Sequence, residues 1–141
     1  MKIYFLIGII IFCFSCAEKK QQQESGNKTA KGTPEIKFDE EMHDFGKLTA
    51  GETAVFSFVY TNTGNSDLII ENAESDCGCV RVYFSKSSVK PNEKGKIEVE
   101  FDSSGLFGRQ LKTIEIQSNC KETKQLVIFA EVKNELFEIK S

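Results

Sequence analysis

Strict alternation of apolar and polar side chains confines this chain to sheet structure. Ala54-Val55-Phe56-Ser57-Phe58-Val59-Tyr60 puts Ala54, Phe56, Phe58 and Tyr60 on one side, because successive strand side chains point to opposite faces. Ile97-Glu98-Val99-Glu100-Phe101 alternates without a fault, and Lys112-Thr113-Ile114-Glu115-Ile116-Gln117 nearly so. Val80-Arg81-Val82-Tyr83-Phe84 turns Val80, Val82 and Phe84 inward. Leu68-Ile69-Ile70 and Leu126-Val127-Ile128-Phe129-Ala130 are denser, which predicts central strands covered on both faces. Ile36-Lys37-Phe38 and Asp44-Phe45-Gly46 predict an edge strand at the start. After the first residues, no ten-residue stretch carries the three-and-four spacing of an amphipathic helix.

Turn residues separate the runs: Asn62-Thr63-Gly64-Asn65, Asp76-Cys77-Gly78, Pro91-Asn92-Glu93-Lys94-Gly95, Ser103-Ser104-Gly105 and Ser118-Asn119-Cys120. Each supplies a positive φ, a fixed φ or a side chain that bonds its own backbone. About seven short strands with a turn every dozen residues predict an all-β, antiparallel sandwich. Twelve Phe, no Trp and only two Pro agree with strands.

The first residues obey a different rule. Met1 and Lys2 precede a greasy stretch from Ile3 to Phe14, closed by Ser15 and followed by Cys16. A positive start, an apolar run and a small residue at the cut form a secretory signal. The Cys directly after it resembles a bacterial lipobox, here Cys13-Phe14-Ser15-Cys16. That reading removes residues 1–15, lipidates Cys16 and holds the protein outside the cytoplasm in the cell envelope, with the outer membrane preferred. A transmembrane helix competes poorly, since a bilayer core needs about 20 apolar residues. A plain secreted protein would leave Cys16 as a free thiol.

Residues 16–34 then form a lipidated Cys and a disordered tether, because AEKKQQQESGNKTAKGTP is too polar to bury a core. Residues 35–135 make one sandwich domain, and residues 136–141 a short tail. Taking Lys2 from the 18 basic residues leaves 17 against 21 acidic ones, a formal −4 with no basic block. Nucleic acid is excluded as a partner on that ground.

The order Asp44-Phe45-Gly46, Gly51-Glu52, Phe58, Asn62-Thr63-Gly64, Leu68, Ile70, Cys77-Gly78-Cys79, Pro91, Gly95, Gly108, Ser118-Asn119 spans nearly the whole domain. In it the chain resembles the bacterial family catalogued as domain of unknown function 1573, related to the Ig-like domains of the cilium protein hydin. The resemblance covers roughly residues 36–132 and implies an Ig-like sandwich with no established activity. Family members commonly carry Thr after Cys-Gly-Cys, where this chain has Val80, and Pro-Gly where it has Pro91-Asn92. Asn tolerates the left-handed region almost as Gly does, so the fold is not threatened.

Cys77-Gly78-Cys79 is the one constellation that invites chemistry, and three readings stand. The first is a metal site. Side chains at i and i+2 of an extended segment face the same way, soft thiolates select Cu(I) or Zn, and Cys120 or His43 would add a third ligand. No second Cys pair supports that reading. The second is a disulfide from Cys77 or Cys79 to Cys120, worth about 2–4 kcal/mol. Such a bridge requires their turns at the same end of the sandwich. A direct Cys77–Cys79 bridge is disfavoured, because extended i and i+2 residues sit near the limit of about 6.8 Å between Cα atoms. The third reading is two small hydrophobes in a tight turn. Thioredoxin-like chemistry uses C-x-x-C at a helix N-terminus, which is absent here.

His43, the only histidine, is expected on the outer face of an edge strand. Glu40-Glu41 and the group Glu71, Glu74 and Asp76 look like solvated charge, and Lys94 and Arg109 like turn or surface residues. Phe107, between Gly105 and Gly108, is either a partner contact or a core plug. No catalytic set emerges. The sequence therefore points to a non-enzymatic, lipid-anchored envelope module that serves as scaffold or adhesin and contacts an envelope protein or glycan. It needs no cofactor beyond the lipid on Cys16. The alternative is a thiol-based envelope protein that binds copper or zinc, or carries electrons, through Cys77, Cys79 and Cys120.

Overall fold

The computed structural model describes residues 32–133; the signal, Cys16, most of the tether and the C-terminal tail lie outside them. The alternating runs form eight strands: β1 (Ile36–Phe38), β2 (Met42–Thr49), β3 (Thr53–Asn62), β4 (Ile70–Ser75), β5 (Val80–Phe84), β6 (Lys94–Asp102), β7 (Gly108–Ser118) and β8 (Lys124–Lys133). Two four-stranded sheets result, ordered β1-β3-β6-β5 and β2-β8-β7-β4. Their inner faces bury Phe58, Tyr60, Ile97, Val99 and Phe101 from the first sheet against Ile114, Ile116, Leu126, Ile128 and Val132 from the second. Among the described residues there is no helix.

The expected single edge strand at the start is two strands in two sheets. β1 pairs with β3, residues 39–41 cross the gap, and β2 then lies along β8. That last pairing is parallel, the one departure from the expected antiparallel order among the described pairs. A strand that changes sheets without reversing meets the last strand running its own way, so the parallel ladder follows from the crossing. A bulge between Asp44 and Lys47 adjusts the register. Gly46 there has φ +71°, and its N–H donates to Asp44 Oδ1 at 2.7 Å.

The two dense apolar runs behave differently from expectation. Leu68 is buried but makes only an isolated bridge to Val89, and Ile69 is 37% exposed. The strand that follows, β4, is an edge. β8 is central, yet only Leu126, Ile128, Ala130 and Val132 reach the core, while Val127 and Phe129 face outward. An outward apolar residue gives the same dense pattern in a sequence as a doubly covered strand.

The turns sort to two ends. At one end, the Ser103 N–H and hydroxyl meet Glu52 O at 3.0 and 2.7 Å, and the hydroxyl also reaches Thr49 O at 3.0 Å. Asp102 N–H donates to Cys79 O at 2.9 Å there. At the other end, Asn62 is wholly buried and its Nδ2 donates to Ser66 O at 2.7 Å and Val89 O at 2.9 Å. Asn92 sits at φ +66° in the neighbouring turn, as the Pro91-Asn92 pair predicted.

Candidate functional site

The cysteine pair lies in the turn from β4 to β5. Ser75 ends β4, its hydroxyl donating to Thr113 O at 2.9 Å, and Val80 N–H closes the turn onto Cys77 O at 3.1 Å. The closure shortens the Cys77–Cys79 Cα distance to 5.1 Å, and the two sulfurs are bonded to each other. This corrects the expectation from extended geometry: residues 77–80 are a turn, and a turn brings i and i+2 inside bridging range. Cys79 N–H also donates to Cys77 Sγ at 3.2 Å. Gly78 is exposed at the tip, without a positive φ and with no atom within 4 Å of where a Cβ would stand.

Cys120 is a free, half-buried thiol beyond the far end of β7. Ile70 pairs with Ser118 and Ser75 with Ile114, so Cys120 stands past the start of β4 and Cys77 past its finish. Six residues of strand, about 20 Å, separate them. The bridge to Cys120 is thus excluded by the two turns lying at opposite ends. A ring closed over two peptide bonds restrains the unfolded chain little, so the stabilisation falls from the expected range to about 1.5 kcal/mol.

His43 also departs from expectation. Its ring faces inward from β2, stacked on Phe56 with centroids 3.5 Å apart and planes 8° apart, and edge-on to Phe45 at 4.9 Å. Glu40 Oε2 lies 3.9 Å from its Nδ1. The imidazole closes the open edge between the sheets. Neither His43 nor Cys120 joins the cysteine pair, and among the described residues no three His, Cys, Asp or Glu side chains gather as a metal set.

Around the cysteine turn the charge is ordered. Arg81 Nη1 meets Glu100 Oε1 at 2.6 Å across β5 and β6, and that carboxylate raises the guanidinium pKa. The Ser104 hydroxyl and N–H hold the Asp102 carboxyl below its ordinary value. Phe107, just past the Ser103 turn at this end, is 55% exposed, whereas Lys94 pairs with Asp39 at 3.2 Å toward the opposite end of β6.

A second feature is absent from the sequence-based expectations. On the outer face of the second sheet, Met42 (60% exposed) lies beside Val127, and Leu111 (61% exposed) beside Phe129. The signal is present in the chain: Leu111 is out of phase with Ile114 and Ile116 on the same strand. Next to this apolar stripe, Glu74 stands directly opposite Glu115. Together with Ser75, Asp76, Thr113 and Gln125 they line a cleft of about 440 Å³. Like charges facing across a ladder oppose pairing. Glu74→Lys is therefore expected to stabilise the domain by about 0.5 kcal/mol, read as a rise in the urea midpoint with unchanged slope. A lower midpoint would show that the two carboxylates do not repel.

Two sheets of this order, with a first strand that changes sheets, define an Ig-like, PapD-like sandwich. The chain belongs to the family described as Protein of unknown function (DUF1573), whose model matches residues 36–132. The human CEP192 PapD-like domain 7 superposes with a TM-score of 0.60 at 11% identity, covering 70% of this chain and 85% of that one. A protein of unknown function from Porphyromonas gingivalis W83 gives 0.61 at 18%, covering 71% and 46%. The VesB protease of Vibrio cholerae gives 0.53 at 15%, covering 72% and 32%. The chain thus spans less than half of the last two. At these identities the likeness is one of fold. None of the curated proteins matches the chain.

Proposed function

We propose that this chain is a lipid-anchored module of the cell envelope that binds a protein partner through the outer face of β2, β8 and β7, without acting on it chemically. The observation that carries the reading is the stripe of Met42, Val127, Phe129 and Leu111 on a face that solvent would otherwise keep polar. Met42, Val127 and Leu111 around a single half-buried Phe129 suit a protein better than a glycan, which stacks on well-exposed aromatic platforms. The acidic border of Glu74, Asp76 and Glu115 calls for a partner whose apolar centre is rimmed by Lys or Arg. The like-charged pair at Glu74 and Glu115 fits that role, since it opposes strand pairing while presenting charge outward. The signal and Cys16 supply the location: an acyl chain at Cys16 and a polar tether hold the sandwich above the membrane.

A photo-crosslinking residue placed at Leu111 in cells should yield one discrete adduct, and one placed at Lys37 on the other sheet none. Glu74→Lys together with Glu115→Lys should reduce the Leu111 adduct at least several-fold. Equal adducts at both positions, or none at Leu111, would refute the surface. Cys16→Ala should release the protein from the membrane fraction and abolish incorporation of labelled palmitate. Retention on the membrane without Cys16 would refute the anchor.

A further inference from the structure

We infer that the Cys77–Cys79 bridge is a reversible thiol–disulfide exchange site, which accepts two electrons from a protein dithiol. Three observations carry this. The ring it closes is too small to hold the fold together, so stability does not account for the bond. The turn is kept in shape by contacts that do not involve sulfur bonding: Val80 N–H to Cys77 O, Asp102 N–H to Cys79 O and the Ser75 hydroxyl to Thr113 O. Both thiols therefore stay adjacent after reduction, ready to close again. The tip is also open, with Gly78 exposed and no atom within 4 Å of where its Cβ would stand, and the two cysteines on either side of it are only half-buried.

The hydrogen bond from Cys79 N–H to Cys77 Sγ sets the direction of attack. A sulfur that accepts an N–H bears negative charge better, and the better-stabilised thiolate leaves faster. The partner's thiolate attacks Cys79 Sγ, the Cys77–Cys79 bond breaks, and its electron pair departs on Cys77. The partner's second thiolate then attacks the partner sulfur of the mixed disulfide and releases Cys79. Two electrons and two protons pass from the partner dithiol to the pair, and the partner leaves as a disulfide. Cys120, at the far end of the sandwich, takes no part.

The test uses the full chain, with reduced glutathione and a Cys-x-x-Cys oxidoreductase as separate probes and without denaturant. After either probe, maleimide should label Cys77 and Cys79, as located by peptide mass spectrometry. The melting temperature should fall by no more than about 10 °C. During the glutathione reaction, the adduct should sit on Cys79 in about tenfold excess over Cys77, the preference one hydrogen bond to a thiolate confers. Cys77→Ser and Cys79→Ser each leave no bridge to attack, so reduced glutathione should give no adduct at the remaining cysteine of either variant. Labelling only after unfolding, or a reduced protein without a cooperative melt, would overturn the proposal. An adduct confined to Cys77 would overturn the assignment of the leaving sulfur.

Discussion

Asn62→Leu is expected to lower stability by about 3–5 kcal/mol, a large part of the margin a domain of this size possesses. The side chain is wholly buried, and leucine shares its branched skeleton, so the shape of the site is kept. What changes is the pairing of backbone groups. Nδ2 satisfies Ser66 O at 2.7 Å and Val89 O at 2.9 Å, while Oδ1 accepts from Gly64 N–H at 3.0 Å. Val89 O keeps the Leu68 N–H at 2.9 Å, but Ser66 O and Gly64 N–H lose their partner, and each group stranded in an apolar surrounding costs about 1–3 kcal/mol. Denaturant melts of the variant should show a lower midpoint with the slope of the parent. Gly64 is bound up in the same knot: a Cβ there would lie 2.3 Å from Thr33 O and 2.5 Å from Glu35 N, both backbone atoms. A loss below about 1 kcal/mol in Asn62→Leu would mean that water serves Ser66 O and Gly64 N–H, and that Asn62 is not the clamp.

Asn62 also shows where a sequence stops being informative. As part of Asn62-Thr63-Gly64 it reads as an ordinary turn residue, and its backbone is one. The carbonyls it serves lie four and 27 positions away, and no local pattern records that. Alternation is a local signal and transfers directly to the fold. The inward sets Ala54, Phe56, Phe58, Tyr60 and Val80, Val82, Phe84 stand as expected. Alternation names faces but not partners, so the division of β1 and β2 between two sheets and the parallel β2–β8 ladder cannot be drawn from it. The cysteine pair is hidden for a related reason. Extended geometry sets Cys77 and Cys79 near the limit of bridging, whereas the Val80 N–H to Cys77 O bond bends residues 77–80 into a turn. His43 is harder to place because one polar residue in a polar run carries no phase, whereas Phe45 two positions on does. The stripe of Met42 and Leu111 is legible in principle, as apolar residues on the wrong phase of strands whose other face is already filled.

Phe101→Ala is the second large effect, and it joins the core to the cysteine turn. Phe101 has no exposure, lies opposite Ala54 on one side and Val80 on the other, and stacks parallel to Phe45 at 6.3 Å. Its two strand neighbours there are small, so little can collapse into the space the ring vacates, and the loss should fall at about 3–5 kcal/mol. Val55→Ala, 56% exposed on the outer side of β3, should cost under about 1 kcal/mol. The contrast separates burial from strand propensity. Val80 is both the residue that Phe101 supports and the one whose N–H closes the cysteine turn. Asp102, next to Phe101, holds the Cys79 carbonyl. Amide exchange at Val80 and Asp102 should therefore accelerate in Phe101→Ala more than exchange at Ile116, which sits in the facing sheet. Uniform acceleration at all three would mean that the domain opens only as a whole. Selective acceleration would mean that the turn's shape, and with it the nearness of the two thiols after reduction, is held from beneath by this one ring.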